Sequence, residues 1–420
     1  MISFNFKNTY FFWVFISVFG FISCSDKSTN KTNLQNTKIS QNLTHDTLSD
    51  NDSNNDLIIP YPADYIYLIK DKVLGVVSNQ TSVVKNKNNG FTHLIDTLIS
   101  LKIDIKKVFS PEHGFRGKAD AGEKVADGKD LKTGLPLISL YGKNKKPNQA
   151  QLEGIDILIF DIQDVGVRFY TYISTLHYIM EACAENNIPL IVIDRPNPNA
   201  HYIDGPFLEI EHNSFVGMHP VPLVYGMTIG EYAKMINGEK WLKNGIQCDL
   251  TVMPLKNYTH QTTYSLPIKP SPNLPNDTSI NLYPSLGFFE GTTVSAGRGT
   301  ETQFQLFGAP YLPKEQFDFS FTPQANEGAK YPKFKGELCY GKDLRKIKKL
   351  DKVELRWFIE AYHASSNKST FFNSFLTKLA GTKKLRQQIE NGMNADQIRA
   401  RWQTEVDKFK KVREKYLIYD

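Results

Sequence analysis

The stretch VFSPEHGFRG (108–117) sets a carboxylate, an imidazole and a guanidinium, on Glu112, His113 and Arg116, directly behind the apolar pair Val108 and Phe109. A carboxyl group at the end of a buried strand is one whose protonated form desolvation favours. A protonated carboxyl can assist the departure of a glycosidic oxygen, provided a second group activates water or acts as nucleophile. Three other apolar runs end in the same manner. One is followed by Ser78 and Asn79. A second carries Asp161, Gln163, Asp164 and Arg168, and a third Asp194, Arg195 and Asn197. Phe169, Tyr170 and Tyr172 come next after Arg168, so aromatic faces stand beside the carboxylates and amides, as a sugar site requires.

Each residue also has a plainer reading. Asp161 or Asp194 can cap a helix or brace a loop, Arg168 and Arg195 can simply pair with those aspartates, and His113 can be a satisfied turn histidine. His113, Asp161 and Asp164 admit a metal, although nothing in their spacing is diagnostic. Thr228 and Glu231 fit a capping box, so Glu231 is assigned no chemistry. There is no G-x-S-x-G elbow and no H-E-x-x-H helix. The GRG at 297–299 lacks the third glycine of a dinucleotide fingerprint, and a phosphate-loop lysine is missing. No cofactor and no metal are expected.

The elements that must position these side chains follow from hydrophobic pattern. Apolar runs at 72–79, 106–114, 155–166 and 189–198 read as buried strands. Residues 90–100, with Phe91, Leu94, Ile95 and Leu98 on one face, and 171–187 read as helices. Continuous apolar strands alternating with helices predict an α/β fold, a Rossmann-like doubly wound and mostly parallel sheet covered on both faces. Ligands then bind beyond the C-terminal ends of the strands, where all four polar clusters emerge. After about residue 255 the alternation fades. Residues 270–275 and 283–304 read as loops or irregular strands, and 371–419 as helices broken at Gly381 and restarted by an Asn394 cap. The expected organisation is a Rossmann-like catalytic domain over 57–255 and a smaller α+β C-terminal domain over 256–420 that completes the cleft.

The 420 residues carry 50 Lys+Arg against 44 Asp+Glu, a net charge of +6. The positive charges are dispersed rather than gathered in a stripe, so no nucleic-acid partner is expected. The four cysteines lie far apart without a C-x-x-C pair, which argues against a zinc ribbon or a redox motif. Lys7, the apolar run 10–22 and FISCS (21–25) predict a secretory signal over 1–24, with Cys24 as a lipidated first residue. Residues 25–56, rich in Ser, Thr, Asn, Asp and Lys, predict a disordered tether. The chain is therefore expected in the cell envelope, anchored to a membrane through Cys24, periplasmic or outer-membrane associated.

SPEHGFRG (110–117), AGEKV (121–125), TGLPLISLYG (133–142), FDIQDVGVRFYTYISTL (160–176) and DRPNPNA (194–200) resemble segments of the NamZ-like exo-β-N-acetylmuramidases. So do DGPFLE (204–209), PVPLVYGMTIGE (220–231), SPNLP (271–275), FEGTTVSAGRGT (289–300), FGAP (307–310), KLAG (378–381) and REKYLIY (413–419). They fall in family order across 57–420. One departure is small: Asn199 and Ala200 stand where a glycine is expected, which touches loop shape. The resemblance implies a cleft between two domains and release of N-acetylmuramic acid from non-reducing ends of peptidoglycan fragments. It makes Glu112 the general acid, with His113 bonding Glu112 or the sugar. For the second role Asp164, Glu123 and Glu290 are candidates, Asp164 first. Arg116, Arg168, Arg195 and Arg298 compete for the lactyl carboxylate, for which a bidentate Arg is the natural partner. Asn79, Tyr172 and Asn197 complete the substrate-binding set. Two other readings stay open: a non-catalytic lipoprotein that binds muropeptides or glycan, and a metal-dependent envelope hydrolase.

Overall fold

In strand β1 (Val73–Ser78), Leu74 and Val76 pack on one side while Val77 packs on the other, and the same alternation recurs in its neighbours. A period of two with both faces apolar is what a sheet buried on both sides needs. The computed structural model describes residues 57–88, 90–115 and 127–420. Arg116, Glu123, Cys24, the signal and the tether lie outside them. The remaining strands of this half are β2 (Val83–Lys85), β3 (Phe91–His93), β4 (Asp104–Ser110), β5 (Gly128–Lys129), β6 (Pro136–Ser139), β7 (Ile157–Asp161), β8 (Leu190–Ile193) and β9 (Leu250–Met253). The main sheet runs β5-β6-β4-β1-β7-β8-β9, with every pair parallel except β5 with β6.

The chain steps outward from β1 to β4 and β6 on one side, then returns to fill β7, β8 and β9 on the other. This doubly wound order puts its switch point between β1 and β7, where a crevice opens beyond the strand ends. The helices of this half are α1 (Pro62–Ile69), α2 (Leu94–Ser100), α3 (Gln149–Leu152), α4 (Tyr172–Asn186) and α5 (Ile229–Gly238). Tyr65 and Ile69 of α1 and Leu94, Ile95 and Leu98 of α2 cover one sheet face, against Val76, Val108 and Ile159. Ile173, Leu176 and Met180 of α4, with Tyr232 and Ile236 of α5, cover the other, against Val77, Phe160 and Val192.

This second core layer continues without a break into the rest of the chain, through Phe288, Phe307, Phe358 and Trp402. There the elements are α6 (Asp277–Leu286), β10 (Leu306–Ala309), β11 (Phe319–Phe321), β12 (Cys339–Asp343), α7 (Arg356–Ala364), α8 (Phe375–Ala380), α9 (Lys384–Glu390) and α10 (Ala395–Arg413). The three strands form an antiparallel sheet in the order β10-β12-β11. Gly381 ends α8 at φ 71°, and the Asn394 side chain caps α10 by accepting from the Gln397 N–H.

Several local readings need correction. Phe91 belongs to β3, paired with Lys85, and is exposed, so the helix it was grouped with begins only at Leu94. The apolar run 155–166 stops being a strand at Asp161, yet 162–166 stay buried. Their backbone is served by side chains instead: Thr81 Oγ1 accepts from Gln163 N–H at 3.0 Å and Asp164 Oδ2 from Gly166 N–H at 2.7 Å. Residues 283–286 are helical despite Pro284. A proline cannot bond the carbonyl four residues back. That carbonyl, on Ile280, accepts instead from the Asn199 amide at 3.1 Å.

Candidate active site

The end of β4 turns sharply. Gly114 N–H donates to the Pro111 carbonyl at 3.0 Å, and His113 and Gly114 both take left-handed backbone, at φ 70° and 72°. Such a conformation is uncommon for a residue with a side chain and persists only when its surroundings impose it. Here Phe115 is buried and packs edge-on to His93 at 4.9 Å, pinning the turn to the start of α2. His113 is buried, whereas the Glu112 side chain is half-buried. Thr171, just before α4, donates its hydroxyl to Glu112 Oε2 at 2.8 Å.

The end of β1 supports the same spot. Asn79 Nδ2 donates to the Tyr172 hydroxyl at 2.9 Å, and that hydroxyl lies 3.5 Å from the Glu112 carbonyl. Tyr170 donates to the Pro270 carbonyl at 2.7 Å, and Gln80 donates to it as well, so the 270–275 loop is tied down beside the strand ends. Tyr170 meets Tyr172 edge-on at 4.7 Å and Tyr283 of α6 at 6.2 Å. Tyr283 in turn meets Phe304 at 4.8 Å. This aromatic floor leads from Glu112 to a second polar pair. Arg298 lies 3.2 Å from Glu290 with its guanidinium 5.4 Å above the Phe304 ring. Both are half-buried and line a cavity of about 260 Å³ with Tyr331 and Lys333. Lys333 donates to the carbonyls of Phe289, Thr292 and Val294, which fixes the turn that carries Glu290, and burial lowers its pKa from the ordinary lysine value.

Not every sequence candidate reaches this surface. Arg195 makes a two-pronged pair with Asp161, at 2.5 and 2.9 Å, and both are buried under the strand ends. Arg168 is fully buried and meets no carboxylate among the described residues. Its guanidinium donates to the carbonyls of Pro206, Val221, Leu379 and Ala380 at 2.7–3.1 Å, so it clamps framework where a substrate contact was expected. Asn197 is buried too, donating to the Met227 carbonyl and accepting from Asn199 N–H. It also presses on Gly166, where a Cβ would lie 2.2 Å from its amide oxygen; at φ 75°, only glycine suits that position. Asp194 caps α5, accepting from Gly230 N–H and from the Thr228 and Tyr419 hydroxyls. The trio His113, Asp161 and Asp164 does not gather as a ligand set. Among the described residues, the His and acidic side chains close enough to share an ion are Glu209, Glu211 and His212.

Asp164 is a buried carboxylate beneath the floor. Its Oδ2 accepts from Gly166 N–H and the Tyr225 hydroxyl, while Oδ1 is buried with no partner. Burial pushes its carboxyl from 3.8 up to about 6, against the opposing pull of Tyr225 and two backbone N–H groups. A carboxyl whose pKa is raised on folding holds its proton more tightly when native. It therefore costs stability above about pH 6, and that cost fades as pH falls toward the unfolded value. Asp164→Asn removes the cost. Compared with wild type by urea unfolding, the variant should gain up to roughly 3 kcal/mol at about pH 7.5 relative to about pH 4. A difference that does not change with pH would contradict the assignment.

The sequence reading missed Thr171, Tyr283 and Lys333. Thr171 and Lys333 act through backbone and carboxylate contacts that carry no local signature. Tyr283 begins the stretch 283–304 that reads as loop or irregular strand, although Asn276 and Ser279 do form the capping pair that opens its helix.

Residues 74–278 match the N-terminal part of the exo-β-N-acetylmuramidase NamZ family, and residues 281–419 match its C-terminal part. The chain belongs to the NamZ family. A peptidoglycan β-N-acetylmuramidase NamZ of Bacillus subtilis strain 168 is 40% identical over 391 residues, 87% of this chain and 90% of that protein. Two crystal structures of DUF1343 family proteins from Bacteroides fragilis are similar throughout. One has 45% identity and a TM-score of 0.80, covering 87% of this chain and 99% of its own; the other has 28% and 0.75, covering 88% and 100%. As a NamZ-family member the chain is a glycoside hydrolase. The residues linked here come from both parts of the family fold: Asn79, Glu112 and Tyr170 lie in the first, and Tyr283, Glu290 and Arg298 in the second.

Proposed function

We propose that this chain is an exo-acting β-N-acetylmuramidase that removes N-acetylmuramic acid from the non-reducing ends of peptidoglycan fragments, with Glu112 protonating the leaving oxygen. The observation that carries the reading is the aromatic floor joining Glu112, held by Thr171, to the Glu290–Arg298 pair. Two carboxylates flanking an aromatic surface are the equipment of glycosidic cleavage. The 40% identical Bacillus subtilis relative, named for this activity, supports it.

Of the carboxylates weighed for the second role, Asp164 is buried under the floor, whereas Glu290 opens onto the cavity. We assign the role to Glu290. Of the arginines, Arg168 and Arg195 are engaged by buried protein acceptors, and Arg298 is half-buried at the cavity. We assign the lactyl carboxylate to Arg298, which offers five donors and keeps its charge. His113 shapes the turn that presents Glu112, and Asn79 and Tyr172 hold it from below. Placement at the cell envelope, through a lipid on Cys24 and a tether over 25–56, rests on the N-terminal sequence pattern.

One experiment with two arms tests this. Purified protein is offered a chromogenic β-N-acetylmuramide and its β-N-acetylglucosaminide counterpart; selective release from the muramide is expected. Tight binding without turnover would replace the enzyme by a glycan-binding protein, and activity lost to a chelator and restored by a divalent ion would replace it by a metal hydrolase. In the second arm, expressing cells are fractionated. The wild type is expected with membranes and Cys24→Ser outside them; identical partitioning of the two would refute the anchor.

A further inference from the structure

Tyr283 has the attributes of a ligand contact, although nothing in the motif pattern marks it. Three rings hold it edge-on: Phe169 at 5.0 Å, Phe304 at 4.8 Å and Tyr170 at 6.2 Å. Such packing on three sides restricts the rotamers open to the side chain. The ring is nonetheless partly exposed. Its hydroxyl has no hydrogen-bond partner among the described residues and is not one of the buried orphan oxygens, so it reaches solvent. Around that hydroxyl act the charges of Arg298, Glu290, Glu112 and Asp164, which come from three separate segments. A tyrosine hydroxyl that reaches solvent can exchange water for a ligand atom. This one is packed by three rings, lies within electrostatic reach of the two proposed catalytic carboxylates, and bonds neither.

We propose that Tyr283 is a substrate-contacting residue whose hydroxyl donates a hydrogen bond to the acetamido carbonyl oxygen of the bound sugar; this rests on the muramidase reading above. The phenol suits a donor's role. Burial and the neighbouring carboxylates raise its pKa, so the proton stays on the oxygen throughout the working range. On an N-acetylated sugar the amide carbonyl is the strongest neutral acceptor, and a donor held in a fixed position is worth most against such a group. The contact would also orient the acetamido group relative to the anomeric carbon, whether or not that group takes part in bond making.

The test pairs a variant with a substrate change. Full-length wild type and Tyr283→Phe are compared on a chromogenic β-N-acetylmuramide and on its thioacetamido analogue, whose sulfur is a poor acceptor. Loss of one neutral hydrogen bond predicts about a tenfold fall in kcat/KM for Tyr283→Phe on the oxygen substrate. On the sulfur analogue the two enzymes should agree within about twofold, the convergence expected when both changes remove the same contact. Because the hydroxyl bonds no described residue, the urea midpoint should not move. Equal losses on both substrates, or no loss on either while wild type turns over, would overturn the contact and leave the muramidase reading standing. Wild type that neither binds nor cleaves the muramide would overturn both.

Discussion

Glu112→Gln should lower the turnover of a MurNAc-terminated disaccharide by at least about a hundredfold while leaving the urea midpoint in place, the low end for loss of general acid assistance. The amide oxygen of Gln can still accept from the Thr171 hydroxyl, so the side chain keeps its position and only the transferable proton is lost. Leaving-group dependence makes the prediction specific. A sugar alkoxide needs a proton to depart, whereas a nitrophenolate hardly does. The variant should therefore be far less impaired on the activated aryl glycoside than on the disaccharide. Similar defects on both would point to a binding or nucleophilic role, and near-normal turnover of the disaccharide would remove Glu112 from the mechanism.

The second large effect concerns stability. Arg168→Met should destabilise the protein by about 4 kcal/mol or more, measured by urea unfolding, because it strands four buried carbonyls, and each unmade bond of this kind costs about 1–3 kcal/mol. The guanidinium is fully buried and has no carboxylate partner among the described residues. Desolvation lowers its pKa from 12.5 to about 9, with only Tyr232 pulling the other way. Its value is geometric: a planar fork reaches Pro206 and Val221 on one side and Leu379 and Ala380 of α8 on the other. Arg168→Lys keeps a cation but lacks the fork, so it should recover only part of the loss. A change below about 1 kcal/mol in the Met variant would mean that water or backbone shifts satisfy the freed carbonyls.

The sheet was legible because each strand writes its burial into composition. Leu74 with Val76, and Ile157 with Ile159, are apolar on the same face as each other and apolar again on the opposite face, a pattern few other arrangements produce. Short β6 and β9 were missed because four residues between turns carry little periodicity. Site residues divide differently. Glu112 stood out because a titratable cluster at a strand end has few structural uses. Arg168 and Arg195 stood out equally, and wrongly for the surface, since composition cannot report depth: a guanidinium under the sheet edge and one lining a cleft read alike. Glu290 and Arg298 were reached through family likeness, because the loops that carry them have no period. Tyr283 was lost because the whole stretch 283–304 reads as loop or irregular strand, although Asn199 supplies the donor that lets a helix run through Pro284.

That exchange between Asn199 and the Ile280 carbonyl binds two distant codons into one heritable trait. Proline at 284 creates a vacancy in the helical ladder, and an amide from the opposite half of the fold fills it. Losing Asn199 while Pro284 stays strands that carbonyl, whereas replacing Pro284 restores the ladder donor, so the residue at 199 is held by the proline at 284 and not the reverse.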